Sequence, residues 1–177
     1  MTRYRPGLTL LALLAALAIP AGCQRSEKNE PLKVSGKVFI FNYRLASATY
    51  VLTLARNGPL PDESFAETRY EDPRGGPPLV TRTKIFPFWE KIALESPPVH
   101  CVVKNRPYVI SIRIVDAKDR SIQTIETSLT STLDQTILPA RPLVVGPIYT
   151  PNPDVFKADG SQDFSPETDC PAPAAKT

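Results

Sequence analysis

Apolar and polar residues alternate with a period of two along much of the chain, which is the pattern of half-buried β-strands. In residues 108–115 every second residue is Tyr or Ile, so one face of a strand there would point into a core. Tyr50, Leu52 and Leu54 share one face of a second such segment. The predicted strands cover residues 34–41, 49–55, 78–85, 88–94, 108–115, 121–129 and 143–146.

Turn-forming residues separate these segments, and no convincing amphipathic helix follows residue 22. Short strands with a turn about every ten residues predict an all-β fold, an antiparallel β-sandwich of about seven strands, with an open barrel as the alternative. The domain should span residues 32–149. Residues 59–78 are rich in Pro and Gly and predict an irregular excursion, with at most a short strand or helical turn at 64–70.

The first predicted strand is apolar on both faces. Phe39 and Phe41 alternate with Val38 and Ile40, so neither side of the strand is polar. Such a strand is either enclosed between two layers or covered by a partner.

The N-terminus has the pattern of an export signal. Arg3 and Arg5 precede an apolar stretch at residues 8–19, and small residues lead up to Cys23. A helix over this stretch would be about 20 Å long, too short for a hydrocarbon core of about 30 Å. The pattern predicts a lipoprotein signal peptide at 1–22 and acylation of Cys23. The alternative is an ordinary secretory leader that is cut after Ala18.

Acylation at Cys23 would anchor the chain to a membrane, since more than one acyl chain gives stable binding. Residues 23–31 are polar and charged and predict a lipidated tether. If sorting follows enterobacterial lipoproteins, Gln24 directs the protein to the outer membrane, where it would face the periplasm.

The overall charge bears on nucleic-acid binding, and the composition of the C-terminal region bears on whether that region is folded. The formal net charge is +3, and the basic residues are scattered among acids, which gives no basis for nucleic-acid binding. Residues 150–177 are acidic and rich in proline, and this composition predicts a disordered tail.

Cys101 and Cys170 are the other two cysteines, and an exported protein lies where disulfides form. Either they pair with each other, or Cys101 is a small buried apolar residue.

No constellation of residues predicts catalysis. His100 is the single histidine and precedes Cys101, but adjacent side chains on an extended segment point to opposite faces. Asp116 and Asp119 flank a predicted hairpin turn and lack the spacing and closing glutamate of a calcium loop. The sequence therefore predicts a protein that is not an enzyme, with no catalytic residues, metal site or cofactor.

Phe86, Phe88 and Trp89 form the densest aromatic cluster of the chain. Such residues pack into a core or form an exposed binding surface for a protein or a sugar.

Several strand patterns resemble a known family. The segments are residues 34–38, 50–54, 86–98 and 106–114, followed by a Thr-rich strand. They resemble the YbaY group of envelope lipoproteins, which is similar to the YscW-type lipoproteins of type III secretion. The resemblance implies a β-sandwich without catalytic residues.

The YscW branch acts as pilotins, which protect a secretin subunit and carry it to the outer membrane. For this chain the resemblance implies a lipid-anchored, pilotin-like assembly or chaperone factor whose partner is an outer-membrane or secretion-system protein. The alternative is an envelope lipoprotein module that binds a ligand or glycan.

Overall fold

The structure is a computed structural model that describes residues 30–171. The predicted leader, Cys23 and residues 172–177 lie outside this range. Within it the chain forms nine strands and a single 3-10 turn at Gln135–Ile137. The strands are β1 Leu32–Asn42, β2 Ser47–Arg56, β3 Ser64–Tyr70, β4 Leu79–Ile85, β5 Lys91–Glu95, β6 Pro107–Val115, β7 Ser121–Thr130, β8 Val144–Val145 and β9 Thr150–Pro151.

Two antiparallel sheets form the body of the domain. One has the strand order β1-β2-β5 and the other β4-β3-β6-β7, while β8 and β9 form a separate short hairpin. Every neighbouring pair runs antiparallel. The all-β antiparallel sandwich predicted from the sequence is confirmed. Among residues 30–171, no helix is both long and apolar enough to span a membrane.

The core lies between the two sheets and follows the alternation in the sequence. The inward residues of β2 and β6 are fully buried, as predicted: Tyr50, Leu52, Leu54, Tyr108, Ile110, Ile112 and Ile114. Each buried Leu or Ile side chain stabilises the fold by about 1.5–3 kcal/mol relative to an exposed one. The hydrophobic faces of the two sheets therefore hold them together.

Aromatic rings fill one part of this core. The ring centroids of Phe39 and Tyr50 lie 4.4 Å apart, and Tyr50 meets Tyr108 edge-on at 6.1 Å. The Tyr50 hydroxyl donates to the Glu71 carbonyl at 2.8 Å, and the Tyr108 hydroxyl accepts from the Val103 amide at 2.7 Å. Burial raises the pKa of Tyr50, so this hydroxyl stays protonated and keeps its role as a donor.

Side chains, rather than a backbone ladder, join the edge strands β1 and β7. The Leu32 amide donates to Gln123 Oε1 at 3.1 Å, and Gln123 Nε2 donates to the Leu32 carbonyl at 2.8 Å. Farther along, Lys37 Nζ donates to the Ser128 carbonyl at 2.5 Å. Among the described strands, no ladder joins the two sheets here or between β4 and β5, so they are separate layers packed face to face, which is a sandwich and not the alternative barrel.

Part of the predicted irregular excursion is a central strand. β3 pairs with β4 on one side and with β6 on the other. Its inward residues include Ser64, Ala66 and Thr68, which are buried but give little hydrophobic signal in the sequence. The neighbours on both sides, rather than strong local patterning, keep β3 in the sheet.

The segment 150–171 also departs from expectation, because it is held against the sandwich instead of being disordered. Val155 is fully buried, and Asn152 is buried with its side-chain amide donating to the Pro142 carbonyl at 2.7 Å. The Ala140 amide donates to the Ser165 carbonyl at 2.7 Å. Composition suggested disorder, but these specific contacts and a disulfide described below fix the segment in place.

Candidate functional site: the groove between β1 and β7

A groove of about 240 Å³ opens between the two edge strands beyond Lys37. One wall is the second half of β1, and the other is the end of β7 with the residues that follow it. Phe39 is buried here, Phe41 is half-buried and Val38 is exposed. The lining residues are Lys37, Val38, Phe39, Phe41 and residues 129–133.

The backbone of both walls belongs to sheet edges. β1 pairs with β2 alone and β7 pairs with β6 alone in the described part of the chain. An edge strand presents N–H and C=O groups that an added strand can pair with. The groove therefore combines hydrogen-bonding backbone with apolar side chains, which is the chemistry that binds an extended peptide.

On the outer face of the β1-β2-β5 sheet, the residues of β1 and β2 beside the groove are uncharged, and the nearest charged residue is Glu95 of β5, opposite Val51. Val38 and Ile40 are each 51% exposed, and the register places Val51 beside Val38 and Thr49 beside Ile40. Of the two outcomes predicted for this strand, enclosure on both sides is excluded within residues 30–171, since only the face carrying Phe39 is in the core.

The outer face of the β4-β3-β6-β7 sheet is very different. Glu67 forms ion pairs with Arg82 and Arg113, and Arg82 also binds Asp119 at 2.8 Å. These ion pairs cross the sheet at Glu67, although Val80 and Val109 are also exposed on the same face. Beside the groove, by contrast, Val38 and Ile40 have uncharged neighbours on β2, which suits an apolar partner.

The aromatic cluster predicted from the sequence forms the loop between β4 and β5, named here the aromatic loop, residues 86–89. The Phe86 and Trp89 rings meet edge-on at 4.8 Å, and Phe88 is 77% exposed. Trp89 is half-buried and packs against the core. The structure thus brings the three predicted residues together, with Phe88 the most exposed of the three rings.

Cys101 and Cys170 are joined in a disulfide, with their Cα atoms 5.3 Å apart. Beside it, His100 Nδ1 lies 3.2 Å from Glu167 Oε2, and Arg74 pairs with the other carboxylate oxygen of Glu167. In the disulfide, the Cys101 sulfur is not a free thiolate and is not available as a nucleophile. The group clamps the C-terminal segment onto the sandwich.

Asp116 and Asp119 lie at the predicted β6–β7 turn. Asp116 Oδ1 accepts from the amides of Lys118 at 2.9 Å and Arg120 at 3.0 Å, and Oδ2 accepts from Arg120 Nε at 2.8 Å. Burial raises the pKa of the Asp116 carboxyl, but these hydrogen bonds outweigh burial and hold the pKa below its usual range. The carboxylate therefore stabilises a turn.

Sequence reasoning missed one wall of the groove. Residues 129–133 carry no distinctive motif, and Lys37 reaches Ser128 across 91 positions of the chain. The apolar outer side of β1 was the one signal that pointed to this place.

Cys23, the predicted lipidation site, lies outside the described residues, and its acylation stays a prediction. No protein-family model and no curated protein matches the chain.

Proposed function

We propose that this protein is a lipid-anchored lipoprotein of the outer membrane that faces the periplasm and acts, without catalysis, as a pilotin-like assembly or chaperone factor. Cys23 would carry the anchor. The partner would be an extended segment of an outer-membrane or secretion-system protein. The resemblance to the YbaY and YscW-type lipoproteins motivates this proposal.

The groove between β1 and β7 is the observation that carries the proposal. An extended client segment would pair with the free edge of β1 and place its apolar side chains near Phe41 and Leu129. Val38 and Ile40 extend the apolar surface beside the groove. Main-chain hydrogen bonds would supply affinity, and the apolar contacts would select the client.

The alternative is a glycan-binding module centred on Trp89. The half-buried indole of Trp89 contacts Phe86 and the core, which leaves less of its face for a sugar to stack on. Protection of Trp89 emission by peptidoglycan or lipopolysaccharide fragments, abolished in Phe88→Ala, would favour this alternative.

Photo-crosslinking in intact cells tests the groove directly. A photoreactive phenylalanine at Ile40 should crosslink to one outer-membrane or secretion-system protein. The same group at Val80 is the matched control, because Val80 is 57% exposed on another edge strand but lies on the charged sheet. Equal crosslinks at both positions would contradict a client site at β1.

The amount of client assembled in the outer membrane tests the proposed function. Deletion of the protein should lower the amount of client assembled in the outer membrane, and Val80→Asp should restore it. Ile40→Asp should fail to restore it, because a charge at an apolar contact weakens binding by about tenfold or more, or about 1.4 kcal/mol. Normal client assembly in the deletion strain would refute the assembly role.

Palmitate labelling with fractionation tests the anchor. The wild-type chain should be labelled and recovered with the outer membrane, whereas Cys23→Ala should not. Equal labelling of both would refute the lipoprotein assignment.

A further inference from the structure

The first described residues lie next to the end of β2. The Pro31 carbonyl accepts from the amides of Asn57 at 2.8 Å and Gly58 at 3.1 Å, and Asn57 Nδ2 donates to the Glu30 carbonyl at 3.1 Å. The point at which the N-terminal segment joins the domain is therefore fixed at this end of the sandwich.

The neighbouring residue, Arg56, holds the aromatic loop. Its Nε donates to the Trp89 carbonyl at 2.9 Å and its Nη2 to the Phe86 carbonyl at 3.2 Å. The Arg56 amide also donates to the Glu90 carbonyl at 2.8 Å. Two consecutive residues, Arg56 and Asn57, thus bind the aromatic loop on one side and the start of the domain on the other.

The length of chain before Glu30 limits how far this end can lie from a lipid anchor. Glu30 is seven positions after Cys23, and seven fully extended residues span at most about 25 Å. The 11 residues of β1 span about 36 Å toward the opposite end. With Cys23 acylated, the end that carries the aromatic loop is the end tethered close to the bilayer.

The loop has the chemistry of a membrane-interface contact. Phe88 is the most exposed of its rings, and Phe86 is also exposed. Lys84 Nζ lies 5.7 Å from the centre of the Phe86 ring, which places a cation beside the aromatic surface. Aromatic rings and lysines are favoured at the boundary between lipid headgroups and acyl chains.

The loop is also ordered before any contact is made. The Trp89 amide donates to the Phe86 carbonyl at 3.1 Å, and Arg56 fixes two of the loop carbonyls. A preordered loop loses little conformational entropy when it binds.

From this placement we propose that the aromatic loop is a second membrane contact, with Phe88 inserted into the interface of the bilayer that holds the Cys23 anchor. This inference rests on the proposed lipid anchor. The two attachments would orient the sandwich so that β1 runs from its start near the membrane to its end away from it. The groove beyond Lys37 would then lie on the side of the domain far from the membrane.

Trp89 is the only tryptophan of the chain, so its fluorescence reports on this loop alone. The acylated mature protein, beginning at Cys23, is reconstituted in vesicles of phosphatidylethanolamine and phosphatidylglycerol whose acyl chains carry bromine. Trp89 emission should shift to the blue and be quenched by the brominated chains. Phe88→Ser should cut this quenching by about half or more, since it removes the largest exposed apolar group of the loop.

Two variants control for effects that do not depend on an apolar side chain in the aromatic loop. Phe88→Leu keeps an apolar side chain and should retain most of the quenching. Val109→Ser removes an apolar residue that is 57% exposed near the opposite end of the sandwich, and it should leave the quenching unchanged.

The possible outcomes test the loop contact and the lipid anchor separately. If palmitate labels Cys23 and the protein stays with the vesicles but Trp89 is not quenched, the loop proposal is overturned while the anchor stands. If palmitate does not label the chain but Trp89 is still quenched, the anchor falls and the loop contact is supported. Emission that responds to peptidoglycan fragments and not to brominated lipid would overturn the membrane contact in favour of a glycan.

Discussion

Removing the Cys101–Cys170 disulfide should lower the free energy of unfolding substantially. The bond links residues that are 69 positions apart, so it closes a long loop in the unfolded chain. In the chain-entropy treatment, a loop of this length corresponds to about 4 kcal/mol of stability at 25 °C. The double variant Cys101→Ser, Cys170→Ser should lose close to this amount, because the native contacts of the C-terminal segment remain available.

Urea denaturation of the purified protein, followed by the fluorescence of Trp89, measures the change. The midpoint should fall, and the slope of the transition should rise because the uncrosslinked chain exposes more surface. Wild-type protein treated with dithiothreitol should behave like the double variant. Thr168→Ala, an exposed change in the same segment, should leave the midpoint in place.

The disulfide also determines the local stability of the C-terminal segment. Hydrogen exchange of residues 150–171 should accelerate more than that of β6 when the disulfide is absent, since the segment then relies on the Glu167 ion pairs and short-range hydrogen bonds. A loss of stability below about 1 kcal/mol, with unchanged exchange in this segment, would refute the reasoning.

Three further changes test the body of the domain. Gln123→Ala should cost about 2 kcal/mol, because it leaves the buried amide and carbonyl of Leu32 without partners, and thermal unfolding will show the loss. Ile112→Ala should cost about 3 kcal/mol by leaving a cavity in the core, whereas exposed Val109→Ala should stay within about 0.5 kcal/mol in the same urea titration. The pKa of Asp116 is lower in the folded protein than in the unfolded chain, so its carboxylate stabilises the fold above about pH 4 and this contribution is lost as the pH falls through the folded value. Stability measured from pH 7 to pH 2 should therefore fall less steeply in Asp116→Asn than in the wild type.

Strands with strong alternation were predictable from the sequence. The Ile residues of β6 and the Leu residues of β2 are buried as their spacing required, because successive side chains of a strand point to opposite faces. The sequence predicted β3 far less clearly. Its small and polar inward residues are buried because β4 and β6 pair with it on both sides, and that pairing is invisible in a local window.

The candidate sites were predictable to different degrees. The aromatic cluster at Phe86, Phe88 and Trp89 could be found from composition, but how far each ring is exposed depends on the turn between β4 and β5. The groove could not be found, because its two walls are about 90 positions apart in the sequence. The sequence did not predict that residues 150–171 are ordered, for a similar reason. This segment contacts distant residues such as Cys101.

The sequence by itself determined the all-β class, the faces of the best-patterned strands and the turn at Asp116, because these depend on the periodicity and chemistry of neighbouring residues. It also predicts the anchor at Cys23 from a local pattern. Only the tertiary structure decided that Cys101 meets Cys170, that β1 and β7 leave a groove, and that Arg56 and Asn57 set the aromatic loop beside the start of the domain. Those contacts join residues far apart in the chain, and they form only when strand pairing and hydrophobic burial bring distant segments together.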